Sequence, residues 1–172
     1  MQPCRGFAQG LMQTNAGGEI IVIDSAGYGR VTIDKSVAIV APPGVYGGIN
    51  VFAGTNGIDI STAGVEVTLR GITINGQGGD HGIRFVQGAR LDVDRCEIAL
   101  MQQSGVSLEA SGSLVEIAQQ DGTQSRVLLE RNTMTGNGFA AYFNPNGSGY
   151  TRQDHSFLDN GASSALTTLS PM

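Results

Sequence analysis

The amino-acid sequence predicts an all-β protein in which short parallel strands stack as a coil, closed at one end by an N-terminal α-helix. Three observations predict this fold. Two short strand-like motifs alternate in a fixed order along most of the chain. Glycine is abundant, with 26 residues, and separates the motifs as turn residues do. A helical pattern of apolar residues occurs once, at the start of the chain.

The composition fits one folded domain, residues 1–172. Hydrophobic residues make up 40% of the chain and the formal net charge is -5, which argues against intrinsic disorder. The sequence contains a single lysine, Lys35, and no basic run, so we expect no nucleic-acid partner. No stretch approaches the ~18 apolar residues of a membrane span, so we expect no membrane partner either.

The first segment, residues 1–18, is predicted to be a capping helix. Gly17-Gly18 marks its end, and the β-branched run Glu19–Asp24 that follows predicts a buried strand. The apolar stripe of the helix has a spacing of three and four residues and consists of Cys4, Phe7, Ala8, Leu11 and Met12.

The first motif has four residues, in the order small, apolar, variable and apolar. It begins at Gly48, Gly82, Gly105 and Ala140. Because strands alternate their side chains, the two apolar positions should form two files inside the coil. The first predicted file is Ile49, Ile83, Val106 and Ala141, and the second is Val51, Phe85, Leu108 and Phe143.

The second motif has eight residues and begins at Val67, Leu91, Val127 and Thr151. The segments around Thr55-Asn56-Gly57 and around Gln119–Gly122 are predicted to be insertions between copies. The two inward files expected from this motif are Leu69, Val93, Leu129 and Gln153, and Ile74, Ile98, Met134 and Leu158.

Several segments carry a resemblance to a known family: Pro3-Cys4-Arg5, Phe7-Ala8, Gly17–Ile20, Val31–Ser36, Leu69–Ile74, Asn75-Gly76 and Gly136–Gly138. Through these segments the chain resembles the right-handed parallel β-helix repeat proteins of the pectin-lyase-like fold. The resemblance implies a right-handed parallel β-helix (solenoid) of about four to five coils over residues 19–160, with a C-terminal tail at 161–172. This fold hosts many unrelated activities, so it leaves the function open.

One outward column is predicted to gather charged residues. Stacked carboxylates about 4.8 Å apart would repel each other or share a cation such as Ca²⁺, as in polysaccharide lyases. We favour the simpler interpretation, a ladder of surface salt bridges. The column is Arg70, Asp94, Glu130 and Asp154, beside Gly71, Arg95, Arg131 and His155. If the chain is an enzyme, its catalytic residues are Asp94, Glu130, Asp154, Arg95 and Arg131.

A second outward column combines an arginine and an aromatic residue, which suits sugar binding. It consists of Asn50, Arg84, Ser107 and Tyr142, with Asn50, Arg84 and Tyr142 as the candidate ligand-binding residues. Gly78–Gly82, which contains His81, is predicted to be a polar turn. The cysteines and histidines have no metal-ligand spacing, so no metal site is predicted.

The leading functional hypothesis is a non-catalytic β-helix module, a structural or surface scaffold with weak glycan binding and a polysaccharide as partner. A carbohydrate-active enzyme of the lyase or hydrolase type is one alternative, and a fragment of a longer β-helix or of a phage spike is another. No C-terminal cap is visible, so we expect either that the tail folds over the last coil or that a second subunit covers that end in a homo-oligomer. The start of the chain does not read as a signal peptide, which leaves a processed secreted protein and a cytoplasmic one both open.

Overall fold

The computed structural model describes residues 4–109 and Asn137 in full and, beyond residue 109, the backbone of further strands. A single helix, α1, spans Phe7–Gln13 in this part of the chain, and it is not long and apolar enough to cross a membrane. The strands are β1 (Gly18–Ile21), β2 (Ala26–Gly27), β3 (Val31–Ile33), β4 (Val37–Val40), β5 (Gly47–Phe52), β6 (Ile58–Ser61), β7 (Glu66–Arg70), β8 (Ile72–Gln77), β9 (His81–Gln87), β10 (Arg90–Asp94), β11 (Glu97–Ala99), β12 (Ser104–Leu108), β13 (Leu114–Val115), β14 (Arg126–Glu130), β15 (Thr133–Thr135), β16 (Phe139–Phe143), β17 (Ser148–Thr151), β18 (Ser156–Leu158) and β19 (Leu166–Thr168).

The strands pair in parallel and form three sheets, and from β1 to β12 the chain adds one strand to each sheet in every turn. The first sheet has the order β1-β4-β7-β10-β14-β13-β17-β19, the second β2-β5-β8-β11-β15-β18 and the third β3-β6-β9-β12-β16. The predicted all-β fold with an N-terminal helix is therefore confirmed as a parallel β-solenoid. The solenoid makes about three turns, slightly fewer than the four to five predicted.

The helix closes the first turn of the solenoid. Phe7 and Leu11 are buried, and the Phe7 ring stacks on Tyr28 with 5.0 Å between the ring centroids. The Lys35 ammonium donates hydrogen bonds to the carbonyls of Leu11 (3.2 Å) and Thr14 (3.3 Å), which satisfies acceptors that the helix end leaves open. α1 is shorter than the predicted stripe, and Met12 is 67% exposed rather than buried.

The strand predicted over Glu19–Asp24 is an edge strand and is not buried on both faces. Within and after β1 burial alternates: Val22 is buried, whereas Ile21 and Ile23 are 53% and 75% exposed. β1 is the first strand of its sheet and pairs only with β4, so its outward side chains have little to pack against. The apolar run alone could not distinguish the two cases.

Most of the predicted inward files lie where the repeats place them. Their members with described side chains are almost completely buried, as a solenoid core requires. Gln153 lies outside the described residues, and Leu158 pairs with Thr135 rather than with Met134. The register joins Leu69 with Val93 and Leu129, Ile74 with Ile98 and Met134, Ile83 with Val106 and Ala141, and Phe85 with Leu108 and Phe143.

Ile49 and Val51 lie in a different sheet from the other members of their predicted files. Ile49 and Val51 lie in β5 of the second sheet, where Ile49 pairs with Ile74, so the file that joined Ile49 to Ile83 is incorrect. Ile58 and Ile60 of β6 occupy those places in the third sheet, opposite Ile83 and Phe85. The segment Gly57–Ile60 has the order small, apolar, variable, apolar, and it is itself the missing copy of the motif.

Asn137 joins the same corner of two successive turns. Its side-chain oxygen accepts a hydrogen bond from the Met101 amide (2.9 Å), and its Nδ2 donates one to the Ile98 carbonyl (3.2 Å). The residue is only 3% exposed. Ile98 lies in β11 and Met101 in the turn that follows it, so the Asn137 amide satisfies buried backbone groups where the chain leaves the strand.

We expect Asn137→Ala to lower the free energy of unfolding by about 1–3 kcal/mol, because it leaves buried backbone groups without their partner. Urea unfolding followed by circular dichroism measures this difference. Asn15→Ala, at an exposed position after α1, is the matched control and should change stability by less than about 0.5 kcal/mol. Equal stability of the two variants would contradict a structural role for the Asn137 amide.

Candidate functional site

The predicted charged column begins at the ends of β7, β10 and β14 in the first sheet. The register places Arg70, Asp94 and Glu130 side by side. Asp94 is 6% exposed, and its Oδ2 lies 3.1 Å from Arg70 Nε and 3.3 Å from Arg95 Nε. Asp154, Arg131 and His155 lie outside the described residues.

Arg95 follows Asp94 at a corner of the solenoid where the backbone is left-handed. Gly71 occupies this corner one turn earlier with a φ of 68°, and Arg95 adopts the same left-handed conformation with a φ of 52°. That conformation is strained for a residue with a side chain. Arg95 and Arg70 both lie within ion-pair distance of Asp94, so two guanidinium groups stabilise one buried carboxylate.

We expect Asp94→Ala to lower the free energy of unfolding by about 1–3 kcal/mol, because the carboxylate is buried and bound by two arginines. Arg70→Gln should lower it by less than about 1 kcal/mol, since Arg70 is half exposed and Arg95 still pairs with Asp94. Urea unfolding of both single variants and the double variant measures the coupling. An Arg70→Gln effect that persists undiminished in the Asp94→Ala background would contradict the pairing.

The second predicted column is divided between two sheets. Asn50 lies in β5 of the second sheet, opposite Asn75, whereas Arg84 lies in β9 of the third sheet. The column that placed these residues together is therefore incorrect, for the same reason as the file of Ile49. The backbone register does place Tyr142 with Arg84, because both flank Ser107.

The outer surface around Asn50 forms a flat strip that we call the second-sheet platform, defined by Tyr46, Asn50, Phe52, Asn75 and Gln77. Tyr46 is 45% exposed and Phe52 is 58% exposed. The register places the Asn50 amide beside the Asn75 amide, and Gln77 beside Phe52. The side-chain amides of Asn50, Asn75 and Gln77 form no hydrogen bond within the described residues.

Glycine at position 48 lets an aromatic ring lie against the sheet. A Cβ on Gly48 would overlap the Tyr46 ring. The Ser25 hydroxyl accepts a hydrogen bond from the Tyr46 amide at 3.0 Å, which fixes the backbone at the start of the platform. Tyr46 therefore shows half its surface to solvent beside a pair of amides, a combination of aromatic face and hydrogen-bonding groups.

On the third sheet, Arg84 is engaged by Glu109. Its Nε and Nη2 donate to the two Glu109 carboxylate oxygens, both at 2.7 Å, and Ser107 Oγ donates to Oε1 at 3.2 Å. The hydrogen bonds from Arg84 lower the pKa of Glu109, and those to Glu109 raise the pKa of Arg84. This fork-like pair keeps both charged groups ionised and oriented.

His81 lies at the start of β9 rather than in the predicted polar turn. Its Nδ1 is 2.7 Å from the hydroxyl of Ser104, the register partner of His81. Ser104 is only 1% exposed. Burial lowers the pKa of His81, and the nearby Glu109 carboxylate counteracts this only in part. Of the remaining charged groups that act on the imidazole, Arg84 also lowers its pKa, whereas Asp80 and Asp59 raise it.

The lowered pKa of His81 predicts that part of the stability is lost in acid. Its contribution is fully present above the ordinary value of 6.5 and is lost as the pH falls below it, because the unfolded chain binds the proton more readily. Chemical unfolding at a series of pH values between 8 and 5 should show a shallower decline for His81→Gln than for the wild type. His155→Gln, at the other histidine, is the control, and an unchanged slope in His81→Gln would refute the assignment.

A cleft of about 400 Å³ separates α1 from the outer face of β3 and β6. Leu11 and Met12 contribute an apolar wall from the helix. Arg30, Asn56 and Asp59 are among the polar residues on the opposite side, and Asn56 Nδ2 donates to Asp59 Oδ1 at 2.8 Å. Asp59 is the register partner of Arg84, so the cleft leads onto the third-sheet surface that carries the Arg84–Glu109 pair.

Sequence reasoning missed Tyr46, Phe52, Asp59 and Glu109. The signal for Asp59 was present, because Gly57–Ile60 repeats the four-residue motif and puts Asp59 at its variable, outward position. Glu109 lies just beyond β12, and no repeat position predicts that its side chain reaches back to Arg84 on the previous turn. Within the described residues, no group of three potential metal ligands comes together.

Together the three sheets and the capping helix define a β-solenoid repeat protein. No protein-family model, no curated protein and no solved structure matches the chain.

Proposed function

We propose that this chain is a non-catalytic β-solenoid module of the pectin-lyase-like kind, a rigid scaffold that binds carbohydrate weakly through the second-sheet platform. The observation that carries the proposal is the Tyr46 ring, which is seated on Gly48 and half exposed beside the Asn50 and Asn75 amides. The predicted sugar-binding residue Asn50 is thereby retained, with neighbours different from those in the predicted column.

The chemistry of the platform suits an uncharged sugar ring. The C–H groups on one face of a pyranose pack against the electron-rich face of an aromatic ring. Amide side chains both donate and accept hydrogen bonds, as sugar hydroxyls require. Adjacent strands hold Asn50 and Asn75 about 4.8 Å apart, so one sugar can contact both amides without any rearrangement of the backbone. A flat, solvent-exposed surface of this kind predicts weak binding, since little of the ligand is enclosed.

Three groups that could perform catalysis, Asp94, Glu109 and Cys96, are engaged in the fold, which supports a scaffold role. Asp94 is buried between two arginines, and Glu109 is bound by Arg84 and Ser107. Burial raises the pKa of the Cys96 thiol to about 12, so it stays protonated and is a poor nucleophile at neutral pH. Each group therefore contributes to stability rather than to chemistry on a substrate.

The test is a titration of isotopically labelled protein with neutral oligosaccharides such as cello-, xylo- and manno-hexaose, followed by nuclear magnetic resonance. We expect at least one of them to shift the Asn50 and Asn75 side-chain amides with millimolar affinity. Tyr46→Ala should weaken the binding about tenfold or more, because it removes the stacking surface.

Asn50→Ala should weaken binding as well, whereas Asn15→Ala, an exposed asparagine away from the platform, should leave it unchanged. Binding that survives in both Tyr46→Ala and Asn50→Ala would place the sugar elsewhere. Release of new reducing ends from any of these glycans by the purified wild type would overturn the non-catalytic assignment.

A further inference from the structure

The cleft beside α1 differs from the platform in shape and charge, and it lies on another sheet. Its volume of about 400 Å³ falls in the range of small-ligand sites. One wall is apolar, and it includes Met12, whose side chain is 67% exposed although it belongs to the capping helix. An apolar group placed in the cleft would cover this methionine.

The opposite wall carries charges of both signs. Lys35 lines the cleft, but its ammonium already donates to two carbonyls at the end of α1. Arg30 and Asp59 form no ion pair within the described part of the chain. Asn56 binds one oxygen of Asp59 and orients the carboxylate. The guanidinium of Arg30 and two carboxylates, the exposed Asp34 and the Asn56-bound Asp59, are therefore available beside an apolar surface.

We propose that this cleft binds a small zwitterionic molecule with an apolar side group, of the class of a free apolar α-amino acid. Arg30 binds the carboxylate of the ligand, Asp59 binds its ammonium group, and the side chain of the ligand packs on Leu11 and Met12. Charge-assisted hydrogen bonds of this kind are stronger than neutral ones and discriminate against a ligand that lacks either charge. The proposal does not rest on the glycan-binding function, because the two surfaces share no residue.

The test uses the full chain with carbon-13 label in the methionine methyl groups, so that Met12 reports on the apolar wall. L-Leucine is the probe. Three analogues remove one feature each: L-leucinamide lacks the carboxylate, N-acetyl-L-leucine lacks the ammonium group, and glycine lacks the apolar side chain. We expect L-leucine to shift the Met12 methyl resonance. Each analogue should bind at least about tenfold more weakly than L-leucine.

Two variants test the polar wall. Arg30→Gln and Asp59→Asn should each weaken L-leucine binding about tenfold, and Asp59→Asn preserves the shape of the side chain. Arg5→Gln, at an exposed arginine outside the cleft, is the matched control and should leave the affinity unchanged. Thermal melts establish that all three variants are folded.

Several results would overturn the proposal. A Met12 resonance that does not respond to L-leucine refutes the site, and equal binding of glycine refutes the role of the apolar wall. Equal binding of either blocked analogue refutes recognition of a zwitterion, and wild-type affinity in Arg30→Gln refutes the assigned carboxylate partner. None of these outcomes affects the oligosaccharide titration, so this proposal and the glycan-binding proposal fail separately.

Discussion

The fold depends on the parallel register between each turn of the chain and the next. A single turn of three short strands cannot bury its apolar side chains, so Ile58, Ile83 and Val106 become fully buried only when they stack on one another. The same hydrogen bonds fix what lies outside the coil. Because side chains alternate, the register that aligns Ile49 with Ile74 also aligns Asn50 with Asn75. The packing of the core and the arrangement of the outward side chains therefore both follow from the same strand pairing.

The register holds only where the chain can turn and where its ends are closed, and these places need particular residues. Gly71 and Arg95 take left-handed conformations at one corner, and Asn137 supplies hydrogen bonds at another. At the first turn, Lys35 binds the end of α1 and Phe7 covers Tyr28. Polar and charged side chains therefore do in the corners what backbone pairing does in the strands, which is to satisfy groups that burial would otherwise leave without a partner.

The sequence could predict the parts of the structure that repeat. Leu69 and Val93 occupy equivalent places in two copies of one motif, and in a solenoid equivalent residues of successive turns lie next to each other. Ile49 was misplaced because a Gly-Ile pattern occurs in strands of both the second and the third sheet, and the motif does not state which one. The exposure of Met12 and the reach of Glu109 to Arg84 could not be predicted, since they depend on how the helix and a segment after a strand are seated. Three members of the predicted charged column, Arg70, Asp94 and Glu130, are neighbours in register, but no periodicity encodes the burial of Asp94 or its pairing with Arg95 at the corner.

Inward and outward side chains are under different constraints, which explains how one small solenoid can carry unrelated surfaces. Inward positions must fill the coil, whereas outward positions are free to vary from sheet to sheet without disturbing the register. The second sheet uses this freedom for exposed rings and amides at Tyr46 and Asn50, and the third for Asp59 and the Arg84–Glu109 pair. Energetic coupling between two such surfaces requires an element with two alternative arrangements. Buried files separate the two surfaces, which share no residue, so we expect a ligand on one face to bind without regard to the other, and each face can be altered by itself.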